Sequence, residues 1–68
     1  MSETITVNGR QVPFRKGLTL AELLREQAAS GPGVAVEVNL VVVPRTDHEK
    51  TLLNPGDEVE IVRLVGGG

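Results

Sequence analysis

One segment of this chain, between Leu18 and Ala29, sets its apolar residues at helical spacing, whereas the segments on either side alternate apolar and polar residues. Leu20, Leu23, Leu24 and Ala28 form a single stripe along that segment. One short helix cannot enclose a core by itself, and the alternating segments supply the sheet it has to lie on. The economy is tight, because a chain of 68 residues buries only about 60% of the surface its unfolded form exposes. There is no cysteine, so neither a disulfide nor a thiolate-held metal can supplement the core.

The helix has clear ends. Thr19 can cap it, Glu22 three residues later completes a capping box, and Leu18 is placed to staple onto Leu23. Gly31-Pro32-Gly33 stops it. This predicts a helix over Leu20 to Ala29, with Glu22, Arg25 and Glu26 facing water.

Before the helix, Ile5 and Val7 alternate with threonines, Asn8-Gly9 interrupts, and Val12 and Phe14 resume the alternation. Asn-Gly is the preferred pair for a tight type I′ hairpin turn. Pro13 has no N–H for a ladder, which sends the second strand to a sheet edge. After the helix, Val34, Val36, Val38 and Leu40 fall on one face of a strand, with Ala35 and Glu37 on the other. Val41 to Val43 form a further short strand that Pro44 ends. Residues 45–53 read as irregular, with Leu52 and Leu53 plugging one end of the core. Asn54-Pro55-Gly56-Asp57 suits a type II turn. The last strand is predicted from Glu58 to Val65. The order is therefore β-β-α-β-β-β, an α+β β-grasp: a mixed sheet of four to five strands on one helix, the first and last strands apolar enough to be central. The domain is predicted to occupy residues 1–65, followed by a flexible glycine tail at 66–68.

Several functions are excluded on chemical grounds. Seven basic against nine acidic residues give a formal net charge of −2, which offers no broad grip on nucleic acid. Phe14 is the only aromatic, so bases have no stacking platform. The start of the sequence lacks the pattern of a signal peptide, and the apolar run Leu40 to Pro44 is too short to span a bilayer. A cytoplasmic protein without membrane contact is expected. His48, between Asp47 and Glu49, has no converging ligands and reads as a solvated loop residue. Ser2 and Ser30 have no catalytic partner, and Gly17 and Gly31 lack the spacing and lysine of a phosphate loop. No metal, bound cofactor or enzymatic activity of its own is expected.

Two features remain. On the last strand Val59 and Ile61 alternate with Glu58 and Glu60, but Val62 and Leu64 then continue the glutamate face as apolar residues. They read as a docking patch for a partner. The sequence ends in Gly66, Gly67 and Gly68. Side-chain-free residues can pass a channel too narrow for others and carry a carboxylate to a buried reaction centre.

The segments ITVNGRQV, LTLAELL, VAVEVNLVVVPR, LNPGDEVEIV and VGGG, in this order and spacing, cover nearly the whole chain. The chain resembles the ubiquitin-like sulfur carriers of the ThiS/MoaD family, most closely the ThiS branch that serves thiamin thiazole formation. That resemblance implies that a ThiF/MoeB-like enzyme adenylates the Gly68 carboxylate with ATP. A persulfide sulfur from a donor system then displaces AMP and leaves a thiocarboxylate. Gly66 and Gly67 would thread into that enzyme and later into a ThiG-like thiazole synthase, with Val62 and Leu64 against both in turn. Carriers of the same fold also serve tRNA thiolation and molybdopterin synthesis. A ubiquitin-like protein modifier and a plain interaction domain with an inert tail are the alternatives outside this class.

Overall fold

A computed structural model describes residues 3–64. Its elements are β1 (Thr4–Val7), β2 (Arg10–Pro13), α1 (Leu20–Glu26), β3 (Val34–Val38), β4 (Val41–Val42), a 3₁₀ helix (Arg45–Lys50) and β5 (Glu58–Arg63). The strands form one sheet in the order β2-β1-β5-β3-β4. The pairing of β1 with β5 is parallel and the other pairings are antiparallel. This is the β-grasp, with the first and last strands in the centre and the Pro13 strand at an edge, as the sequence predicts.

The period-2 pattern determines which side chains face the helix. Ile5, Val7, Val36 and Val59 point inward and meet Leu20, Leu23 and Leu24 of α1, with Leu18 and Leu53 closing the same cluster. Asn8 (φ +50) and Gly9 (φ +82) make the turn between β1 and β2, in the left-handed conformations that a type I′ turn demands. The turn before β5 is closed by the Asp57 N–H donating to the Asn54 carbonyl at 3.1 Å.

The capping box forms as predicted. The Glu22 N–H donates to the Thr19 hydroxyl at 3.2 Å, and the Thr19 N–H donates to the Glu22 carboxylate at 3.0 Å. The backbone bond from Thr19 is the main cause, and its hydroxyl the second, that holds the Glu22 carboxyl below its ordinary value. A lowered carboxylate pKa stabilises the fold above the unfolded-state value, and this contribution is lost as the pH falls through the folded-state value.

The helix ends earlier than predicted, at Glu26 instead of Ala29. The Ala28 N–H donates to the Arg25 carbonyl and the Ala29 N–H to the Leu24 carbonyl, the paired bonds of a Schellman motif. The left-handed residue of that motif is Ala28, at φ +55, three residues before the glycine expected to stop the helix. Ala28 thereby leaves the apolar stripe and is exposed, while Ala29 packs against the core. Left-handed backbone costs a residue with a Cβ about 1–2 kcal/mol, and glycine's extra chain entropy offsets about half of that. Ala28→Gly is expected to stabilise the protein by about 0.5–1 kcal/mol. A thermal melt reads this as a higher midpoint; a lower one would show that Ala28 is not strained.

Other expectations are corrected. Leu40 does not continue the inward face of β3: Asn39 (φ +52) and Leu40 (φ +69) form a two-residue turn into β4, and Leu40 is 84% exposed. The strand after it stops at Val42, although the Val43 N–H still donates to the Val36 carbonyl at 2.9 Å. Leu52 does not plug the core. The Leu20 N–H donates to the Thr51 carbonyl and the Leu53 N–H to the Leu18 carbonyl, so residues 51–53 run extended and successive side chains point opposite ways. Leu53 is therefore buried and Leu52 is 62% exposed.

His48 is not a solvated loop residue. Residues 45–50 coil into the 3₁₀ helix, which buries its ring, and Nε2–H donates to the Val43 carbonyl at 2.9 Å. The imidazole ties the 3₁₀ helix to the end of β4 and has a structural role there.

Candidate functional site

The arrangement with chemical meaning is the end of β5 and the sheet face beside it. Antiparallel pairing with β3 extends from Val38↔Val59 to Val34↔Arg63, and the Leu64 N–H then donates to the Gly33 carbonyl. Gly33 has φ +80, and a Cβ there would lie 3.3 Å from the Leu64 carbonyl oxygen, so glycine allows the chain to come this close to the strand end.

The other side of β5 is held differently. Backbone pairing with β1 covers Thr6↔Glu58 and Val7↔Val59, after which the hairpin turns away. The Asn8 side chain takes over. Its amide donates to the Ile61 carbonyl at 3.1 Å, and the Ile61 N–H donates to its oxygen at 2.7 Å. A carboxamide has the same donor and acceptor as a peptide unit, so Asn8 extends the ladder after β1 has ended. The sequence marks Asn8 only as a turn former, and its second role lay beyond a local reading because Ile61 is far along the chain.

On the face away from α1, Val62 is 50% exposed and Leu64 61% exposed, as their position opposite the buried Val59 requires. Leu40 and Val42 from the β3–β4 hairpin share this face with Val62, and a shallow groove runs between the three, lined also by Ala35, Val36, Glu37 and Glu60. The sequence singled out Val62 and Leu64 and missed the hairpin residues, because Leu40 was assigned to the opposite face. Gly66, Gly67 and Gly68, and the Val65 end of the predicted last strand, lie outside the described residues. Among the described residues no set of three or more histidine, aspartate or glutamate side chains is arranged to hold a metal. No helix among them is long and apolar enough to cross a membrane.

A mixed sheet of this order with a single helix on one face, its last strand running toward a glycine end, places the chain in the ubiquitin-like β-grasp class. The chain belongs to the ThiS family, whose profile it matches over residues 4–68. Its structure is similar to the crystal structure of the thiamine biosynthesis protein ThiS from Geobacter metallireducens, with a TM-score of 0.76 and 33% identity, covering 96% of this chain and 99% of that one. The NMR solution structure of a thiamine biosynthesis protein from the same organism gives 0.74 and 32%, with coverages of 96% and 87%. Among sequences, a thiazole synthase of Paramagnetospirillum magneticum is 38% identical over 64 residues, which are 94% of this chain and 20% of that one. The chain thus spans about a fifth of the length of that relative. The uncharacterized protein ycf40 of Pyropia yezoensis is 35% identical over 65 residues, 96% of this chain and 92% of the other.

Proposed function

We propose that the protein carries sulfur for thiamin thiazole formation as a thiocarboxylate on Gly68, acting as co-substrate of other enzymes. The observation that carries this reading is the family match, which extends over the fold and through the final glycines to residue 68. The Gly68 carboxylate attacks the α-phosphate of ATP on an adenylating enzyme and pyrophosphate leaves. A persulfide sulfur of the donor system displaces AMP from the acyl adenylate. A thiol then cleaves the resulting acyl disulfide, supplying two electrons and leaving the thiocarboxylate on Gly68 and a disulfide on the donor. Adenylation is needed because a carboxylate is a poor electrophile without a leaving group, and the product is a good sulfur nucleophile for the next enzyme.

A thiazole synthase is the recipient in this reading. It is supported by relatives in which a stretch similar to nearly the whole of this chain forms part of a thiazole synthase, in Paramagnetospirillum magneticum and in Magnetococcus marinus. Gly66 and Gly67 supply the narrow, extensible approach into each enzyme, and Val62 and Leu64 dock against both in turn, so the two complexes exclude each other.

The test is the intact mass of the protein after incubation with the adenylating enzyme, ATP and a sulfur donor. A gain of about 16 Da, sulfur for oxygen, mapped to Gly68 is expected. No gain with an enzyme competent on another carrier would overturn the reading. For the docking residues, Leu64→Asp is expected to weaken binding to the adenylating enzyme about tenfold while leaving the melting curve unchanged, since Leu64 is 61% exposed. A large drop in melting temperature would show instead that Leu64 supports the fold.

A further inference from the structure

Leu40 is a poor choice for the turn that holds it. At φ +69 it occupies a left-handed position where any Cβ is strained, and it leaves an aliphatic side chain 84% exposed at a hairpin tip. Glycine would serve the turn better on both counts. Beside it in the groove lies a second costly arrangement. Glu37 and Glu60 are register partners on neighbouring strands, so two carboxylates stand directly opposite each other on the outer face.

Neither glutamate is in an ion pair among the described residues, where the ion pairs are Arg15–Glu26 and Lys50–Asp47. Arg63, the nearest arginine along β5, reaches away toward the end of α1, where Nη2 donates to the Ala28 carbonyl at 3.4 Å. The groove therefore combines the apolar side chains of Leu40, Val42 and Val62 with two glutamates that have no ion-pair partner among the described residues. Both features cost stability and neither helps the domain to fold.

We propose that this groove is the seat of a thiazole synthase surface that covers Leu40, Val42 and Val62 with apolar side chains and inserts a guanidinium or ammonium group between Glu37 and Glu60. The inference rests on the reading of the chain as a sulfur carrier for that enzyme, and it extends the docking surface from β5 to the β3–β4 hairpin. Continuity favours this occupant, because the groove shares Val62 with the strand end that leads to the tail. Charge complementarity supplies register, since the inserted cation has a single place to go while apolar contact alone would tolerate sliding.

The test titrates the thiazole synthase of the same organism with the wild-type protein and with Leu40→Gly, Glu60→Lys and Leu64→Asp. Leu40→Gly relieves the turn, and Glu60→Lys turns a like-charged cross-strand pair into an attractive one, so both are expected to raise the melting temperature. Both are nonetheless expected to raise the Kd about tenfold or more. A residue with only a structural role would not move stability and affinity in opposite directions. If both variants bind as the wild type does while Leu64→Asp binds weakly, the groove is not the seat, and docking through β5 alone stands. If the wild type does not bind the synthase although Gly68 gains sulfur, the inference is overturned and the carrier chemistry stands.

Discussion

Leu23→Ala is expected to unfold a large part of the population at room temperature. Leu23 is 1% exposed in a cluster of nine buried residues among those described, where Leu20 and Leu24 of the same helix meet Ile5, Val7, Val36 and Val59 of the sheet. Truncating such a leucine removes its transfer free energy and leaves a cavity, together about 2–5 kcal/mol. A single small core without disulfide or metal rarely provides more than about 3–5 kcal/mol in total. The loss is thus comparable with the whole stability, and a urea titration should find little or no folded baseline. The same substitution at Ile61 is expected to cost roughly half as much, because Ile61 is only partly buried against the core. A Leu23→Ala variant with an unchanged midpoint would mean that α1 does not carry the core.

Removing Gly68, or adding one alanine after it, is expected to abolish thiocarboxylate formation while leaving the melting curve unchanged. In the proposed reading the reacting group is a single carboxylate at a fixed distance from the docking residues. Deletion draws it back by one residue, about 3.5 Å, which is more than a positioned reaction tolerates. Extension moves it outward and puts a methyl side chain where only glycines precede. The mass assay reads the result directly. An extended chain that still gains sulfur at its new terminus would dismiss Gly68 as the required acceptor and leave the protein a ubiquitin-like domain whose end is tolerant.

These two experiments probe parts of the molecule that differ in how far the sequence discloses them. Local chemistry was legible. Thr19 and Glu22 act within one helical turn, Asn8 and Gly9 within one hairpin, and Asn54 to Asp57 within one turn, so the residues that decide each feature are neighbours in the chain. The alternation of Val59 and Ile61 with Glu58 and Glu60 likewise placed Val62 and Leu64 on the outer face without knowledge of what β5 pairs with.

What failed was anything decided by a distant partner or by a residue used against its preference. Asn39-Leu40 carries no glycine to announce a hairpin, so period 2 ran on through Leu40 and assigned it to the core. Ala28 ends the helix in a conformation for which alanine has no liking, which hid the true stop behind the louder signal of Gly31. His48 is surrounded by charged neighbours in sequence, and only the coiling of residues 45–50 beside α1 turns its ring inward to the Val43 carbonyl. Leu52 and Leu53 are indistinguishable by composition, and the extended path beside Leu18 to Leu20 chooses between them.

The sequence by itself therefore determined the class of fold, the helix start, the turns at Asn8-Gly9 and Asn54 to Asp57, and the apolar end of the last strand, because periodicity and capping are set within a few residues. Only the tertiary structure decided that Asn8 prolongs the β1–β5 ladder, that Glu37 faces Glu60, and that Leu40 and Val42 share a groove with Val62. Those relations exist across strands, and strand pairing is a choice among distant segments that no local pattern encodes.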